Sequence, residues 1–154
     1  MGRARAAIDV PGLASEAEAL WYDHRRWPTF IDGLHHVARL EGDWPNVGAR
    51  VVWDSNPGGR GRVVERVVAY EARASQTLEI EDERVRGRQR VSFAPREDGV
   101  RVELEQDWEL KQERGVPFVV DLLFVRRPRR ESLQRTLRRF AAELASERET
   151  QAVR

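Results

Sequence analysis

Between residues 100 and 110 apolar and polar side chains alternate. Val100, Val102, Leu104, Gln106, Trp108 and Leu110 stand against Arg101, Glu103, Glu105, Asp107 and Glu109. Period two over that length predicts a long β-strand with one face inside and one in solvent. Shorter runs from residue 34 onward are divided by Trp44-Pro45-Asn46, Asn56-Pro57-Gly58-Gly59, Gly87 and Asp98-Gly99, and they predict further antiparallel strands. The segment Val63-Val64-Glu65-Arg66-Val67-Val68 also fits helical spacing, but its valines and bounding glycines favour a strand. A first strand, Arg3 to Val10, stops at Pro11-Gly12.

Helical spacing appears at two places. Ser15 with Glu18 forms a capping-box pattern, followed by Ala17, Leu20, Trp21 and His24 on one face. That helix must stop near Arg26, because Trp27 precedes Pro28, and a second short helical turn through Thr29 to Asp32 ends at Gly33. Near the end of the chain, Phe118, Val119, Leu122 and Leu123, then Leu133, Leu137, Phe140 and Leu144, predict a helix from about Pro117 to Ala145 with a kink or break at Pro128. The expected organisation is one domain over residues 1–145 and a flexible tail over 146–154.

The turn signals suggest a register. With Arg86-Gly87 and Asp98-Gly99 as two-residue hairpin turns, Ile80, Phe93 and Leu104 form one inward layer. Asp82, Val91 and Gln106 form the next, and Arg84, Gln89 and Trp108 the third. Pairing Glu71 with Gln76 places Glu65 beside Asp82, whereas a loop one residue longer places Arg66 there. Asp82, Gln89 and Gln106 together on an inward face are costly in a dry core. They suit a wet cavity that orients a ligand, or a rim where Asp82 and Arg84 meet water or each other.

Charge and composition narrow the function classes. Of 154 residues, 40% are hydrophobic and 34% charged, which suits a folded core under a charged surface. Twenty-seven basic and 26 acidic side chains leave a net charge of +1, so no global field draws the chain to nucleic acid or anionic membrane. The chain has no cysteine, which excludes thiol catalysis and thiolate metal sites and fits a reducing cytoplasm. The longest apolar run, Val116 to Val125, is interrupted by Asp121 and falls far short of the ~20 residues of a membrane span. With no apolar signal core behind Met1-Gly2-Arg3, the expected location is the cytoplasm.

Five segments carry a family resemblance: Ile8-Asp9-Val10, Trp21 to Phe30 with its Trp27-Pro28, Gly48-Ala49-Arg50-Val51, the strand Gly61 to Val67, and the terminal helix Leu133 to Leu144. In this order the chain resembles the START/birch-pollen-allergen (SRPBCC) superfamily, and within it the bacterial polyketide cyclase/dehydrase and lipid-transport group. The resemblance implies an α+β helix-grip fold: a curved antiparallel sheet of about seven strands around a long C-terminal helix, with two short helices between strands 1 and 2. It also implies a cavity between sheet and helix. Members bind sterols, lipids, hormones and polyketides, and many have no known reaction, so the fold alone does not transfer an activity.

Candidate chemistry is sparse. His24, His35 and His36 have no zinc-type spacing, so neither a metal nor another cofactor is expected. In Leu34-His35-His36-Val37 a strand puts the two rings on opposite faces, so that one of them could point inward as a donor or base; which one stays open. Asn56-Pro57-Gly58-Gly59-Arg60-Gly61 lacks the ending of a phosphate-binding P-loop and reads as a hairpin at the cavity mouth, where Arg60 could meet an acidic ligand group. Asp82 and Glu65 are the catalytic candidates, as a carboxylate pair sharing a proton; the competing reading pairs them with Arg66 or Arg84 as structural groups. Arg126-Arg127-Pro128-Arg129-Arg130 reads as a solvated face paired to Glu131 and Glu143, with contact to anionic lipid as the alternative.

The expected ligand site comprises Trp53, Ile80, Asp82, Gln89, Val91, Phe93, Leu104, Gln106 and Trp108. The function expected from these residues is binding of a hydrophobic or aromatic small molecule, which the family resemblance implies is lipid or polyketide-like. The alternative is a polyketide cyclase/dehydratase-type enzyme using the cavity carboxylates. Neither nucleic acid nor stable membrane insertion is expected.

Overall fold

A computed structural model describes residues 2–111 and 127–153. Strand β1 (Gly2–Pro11) is followed by helix α1 (Ala14–Trp21), a 3-10 turn (His24–Arg26) and the short helix α2 (Trp27–Phe30). Six further strands follow: β2 (Leu34–Glu41), β3 (Arg50–Ser55), β4 (Arg62–Glu71), β5 (Ser75–Glu81), β6 (Val85–Arg96) and β7 (Gly99–Leu110). The long helix α3 (Arg127–Ala152) comes last. The strands form one antiparallel sheet in the order β1-β7-β6-β5-β4-β3-β2. The curved sheet grips α3, which makes this the helix-grip fold that the element order implies.

Helix α3 presents Leu133, Leu137, Phe140 and Leu144 to the concave face, all of them buried. Trp21 packs its ring against Phe30 and edge-on to Phe140, so the short helices and α3 share one aromatic cluster. Asp32 secures the other flank. Its carboxylate accepts hydrogen bonds from Ser132 and Arg135, and its backbone N–H donates to the Thr136 hydroxyl at 2.9 Å.

Inward and outward faces follow the alternation, but the register differs from the turn signals. Val91 lies opposite Leu104 rather than Gln106, and Phe93 opposite Val102 rather than Leu104. Ile80 lies opposite Gly87 rather than Phe93. The cause is shared: Gly87 and Gly99 are strand residues, not turn residues. A Cβ on Gly99 would collide with the Val10 carbonyl of β1, and one on Gly87 with the backbone of Asp107 and Trp108. Glycine is therefore required at close approaches inside the sheet. The hairpins turn earlier in the chain, by one residue where Arg96 pairs with Gly99 and by three where Asp82 pairs with Val85. The register displacements that result are both even, so the strands keep their inward faces, but Arg84, expected inward beside Gln89 and Trp108, falls in the β5–β6 turn and is exposed.

Other local expectations shift as well. Helix α1 begins at Ala14, and the backbone N–H of Leu13 donates to the Glu16 carboxylate at 3.0 Å. Ser15 thus lies inside the helix, and Glu18 instead accepts from the Arg73 N–H at 2.6 Å. Both His35 and His36 are exposed, because the β2–β3 register shifts between Leu34 and His36; His36 meets Asp54 at 3.3 Å. Neither ring points inward. Helix α3 runs on to Ala152, through the stretch expected as a tail, where Arg148 bonds Glu16 at 3.2 Å. The helical reading of residues 117–126 lies outside the described residues.

Candidate functional site

The centre of the site is Asp82, at the β5–β6 turn. Its Oδ1 accepts the backbone N–H groups of Arg84 and Val85, each at 2.9 Å, which closes the hairpin. Its Oδ2 accepts from Arg60 Nε at 2.8 Å and from Arg129 Nη2 at 3.2 Å. The side chain of Asp82 is 2% exposed. Burial alone would push its pKa up, but the Arg60 charge and hydrogen bond, with the two amides, outweigh that and hold it below the usual carboxylate range. Asp82 is therefore an anion held between two guanidiniums.

Each guanidinium also lies over an indole ring: Arg60 over Trp53, 5.5 Å from the ring centroid, and Arg129 over Trp108, at 5.3 Å. Such stacking favours the cation in a partly desolvated place. Trp108 finds room because its neighbours in the register are Gly2 and Gly87, and a Cβ on Gly2 would enter the indole ring. Burial depresses the Arg129 pKa to about 10, and repulsion from Arg60 adds to this against the opposing pull of Asp82. Arg129 Nη1 also reaches Gln106 Oε1 at 3.5 Å, and the Gln106 amide donates to Gln89. A polar chain thus crosses from the Arg60 loop to the middle of the sheet.

Glu65 is inward and Arg66 outward, which decides between the two alternatives for β4. Glu65 lies opposite Ile80, with a bulge between Val67 and Ala69, and the hydrogen bonds of Asp82 go to residues other than Glu65. Burial raises the Glu65 pKa, opposed by a hydrogen bond from Trp53 and by the Arg60 charge. The two carboxyls are thus pushed in opposite directions, Asp82 down and Glu65 up. Arg84 contributes its backbone N–H to Asp82; the side chains that pair with Asp82 are those of Arg60 and Arg129.

Two spaces meet at these residues. A cavity of about 500 Å³ opens between the Ser55–Arg60 loop, the β5–β6 turn and the start of α3, with Asp82, Gln106, Val85, Leu110 and Leu133 in its walls. Behind it, a chamber of about 50 Å³ is lined by Trp53, Glu65, Gln89, Leu104 and Gln106, among others. Gln106, Arg60 and Leu133 border both spaces. Val91 and Phe93 are packed in the main core, and Ile80 in a smaller cluster with Val67 and Leu78. The apolar wall beside Asp82 is therefore Val85, Leu110 and Leu133, not the expected Ile80, Phe93, Leu104 and Trp108. Among the described residues no cluster of three or more His, Asp or Glu could hold a metal ion.

The inward position of Arg129 has a signal in the helix spacing. Arg129 precedes Leu133 by four residues and so continues the buried stripe of α3, yet its arginine-rich surroundings suggest a solvated face. The rest of that face behaves as expected in part: Arg127 pairs with Glu131 at 3.2 Å, while Glu143 is taken by Arg26.

Similar architecture occurs in solved structures. A START superfamily protein from Mycobacterium smegmatis superposes with a TM-score of 0.75 at 14% identity, over 95% of this chain and 99% of that one. The di-domain ARO/CYC StfQ from the steffimycin biosynthetic pathway gives 0.74 at 17% identity, with 96% of this chain matching 51% of that one. Norcoclaurine synthase from Thalictrum flavum, in complex with dopamine and hydroxybenzaldehyde, gives 0.68 at 12% identity, over 94% and 86% of the two chains. At these identities the likeness is one of fold. No curated protein matches the sequence. The shared architecture is thus a helix-grip sheet, here with a cavity under its terminal helix. The chain belongs to the polyketide cyclase/dehydrase and lipid transport family, whose model matches residues 1–145. Among the described residues no helix is long and apolar enough to cross a membrane.

Proposed function

We propose that the protein binds a hydrophobic or aromatic small molecule, lipid or polyketide-like, between the sheet and the C-terminal helix. The observation that carries this reading is the cavity of about 500 Å³, in which Asp82 and Gln106 stand beside Val85, Leu110 and Leu133. Its size and its mixture of apolar wall and few oriented polar groups match those of small-molecule sites. The ligand would touch Asp82 and Gln106 at the mouth and reach towards Trp53, Gln89 and Leu104, with Trp108 behind Arg129. Fold relatives with aromatic ligands or an ARO/CYC description support the ligand class. Native mass spectrometry of the purified protein tests it. A retained or added hydrophobic ligand, lost when Leu133 is replaced by Arg in a folded variant, is the expected outcome. Binding that survives Leu133→Arg unchanged would place the site elsewhere.

A second reading, a cyclase/dehydratase-type enzyme, draws on the opposite pKa shifts of the two carboxyls, since carboxyls whose environments push their pKa values apart are a usual acid/base division of labour. Glu65 would be the proton donor and Asp82 the ionised group holding both arginines. Turnover of a polyketide-like substrate that disappears in Glu65→Gln supports it; no turnover in the ligand-loaded protein speaks for binding alone.

A further inference from the structure

We infer that the ligand of this cavity carries a carboxylate, seated on the Arg60 and Arg129 guanidiniums, with an apolar or aromatic body along the rest of the cavity. The inference rests on reading the cavity as the ligand site. The first argument is a charge count. Two guanidiniums meet one anion, Asp82, and the other inward polar side chains of the network, Gln89 and Gln106, are neutral. Glu65 does not balance the excess, because burial favours its protonated form. A monoanion brings the cluster to neutrality, which matters where solvent is largely excluded.

The second argument is geometric. Arg60 and Arg129 converge on the same oxygen, Asp82 Oδ2, so each guanidinium retains donor capacity away from Asp82. Arg60 Nη2 is buried and has no acceptor among the described residues. Buried guanidinium N–H groups ordinarily find one. A planar, two-oxygen group fits such forks better than a point charge does. Both guanidiniums are already held over indole rings, so little side-chain freedom remains to be lost on binding.

The probes are 2-naphthoate and its uncharged analogue 2-naphthamide, followed by calorimetry and by tryptophan fluorescence. We expect naphthoate to bind at least about tenfold more tightly than the amide, as charge-assisted pairs do. Arg60→Gln should reduce that preference to below about threefold, through loss of naphthoate affinity alone. Arg60 adjoins an exposed loop, so this variant should fold; Arg129→Gln, with folding checked by circular dichroism, should show the same collapse. Asp82→Asn, which removes the competing anion, should strengthen naphthoate binding. Equal affinity for both probes, or equal loss of both in Arg60→Gln, overturns the carboxylate inference and leaves the cavity reading standing. If neither probe binds the folded protein, both readings fall.

Discussion

Arg129 meets Asp82 at 3.2 Å, and this contact fastens the C-terminal helix to the turn between β5 and β6. Because Asp82 also closes its own hairpin and holds Arg60, one carboxylate joins three parts of the chain. The cavity between helix and sheet opens beside this junction.

Acid should weaken the junction. The folded pKa of Asp82 lies below its unfolded value of about 3.9, so its contribution is complete above that pH and is lost as pH falls through the folded pKa. Asp82→Asn should be less stable than wild type by ~1–3 kcal/mol at neutral pH, with the gap closing in acid. Urea denaturation from neutral pH to about pH 3 measures this. A gap that stays constant in acid would contradict an ionised Asp82.

Glu65 should show the opposite sign. Its folded pKa is raised, so its contribution is complete below the unfolded value of about 4.3 and is lost as pH rises through the folded pKa. Glu65→Gln should therefore match wild type in acid and surpass it near neutrality. Parallel stability curves for the two proteins would mean that the fold leaves the Glu65 pKa unshifted.

Leu137 is 1% exposed at the centre of the helix–sheet interface. Leu137→Ala should cost ~2–5 kcal/mol in chemical denaturation, the range for buried leucines. A cost below about 1 kcal/mol would mean the helix is not gripped as described.

Gly87→Ala tests the close approach within the sheet. The new Cβ would enter the backbone of Asp107 and Trp108, so β6 and β7 must part locally. A loss of ~1–3 kcal/mol is expected from such overpacking, together with a changed Trp108 fluorescence. An unchanged melting temperature would argue against this register.

How much of the protein could be read in advance depends on the range of the interaction. Alternation is a local rule, so Leu104, Gln106 and Trp108 were inward from the pattern alone, as was the Leu133 to Leu144 stripe. The order of elements likewise pointed to the helix-grip fold. Register was different. Gly87 and Gly99 look like turn residues in isolation, and only the nearness of β7 and β1 makes them strand residues. The site followed the register: Asp82 moved to a hairpin end, away from Val91 and towards Val85. Its partners, Arg60 and Arg129, come from a loop and from a helix, 22 and 47 residues away along the chain. Sequence periodicity decides which way a side chain faces, because that depends on backbone geometry over a few residues. Which charges meet across the cavity depends on how sheet, loop and helix pack, and only the tertiary structure decides that.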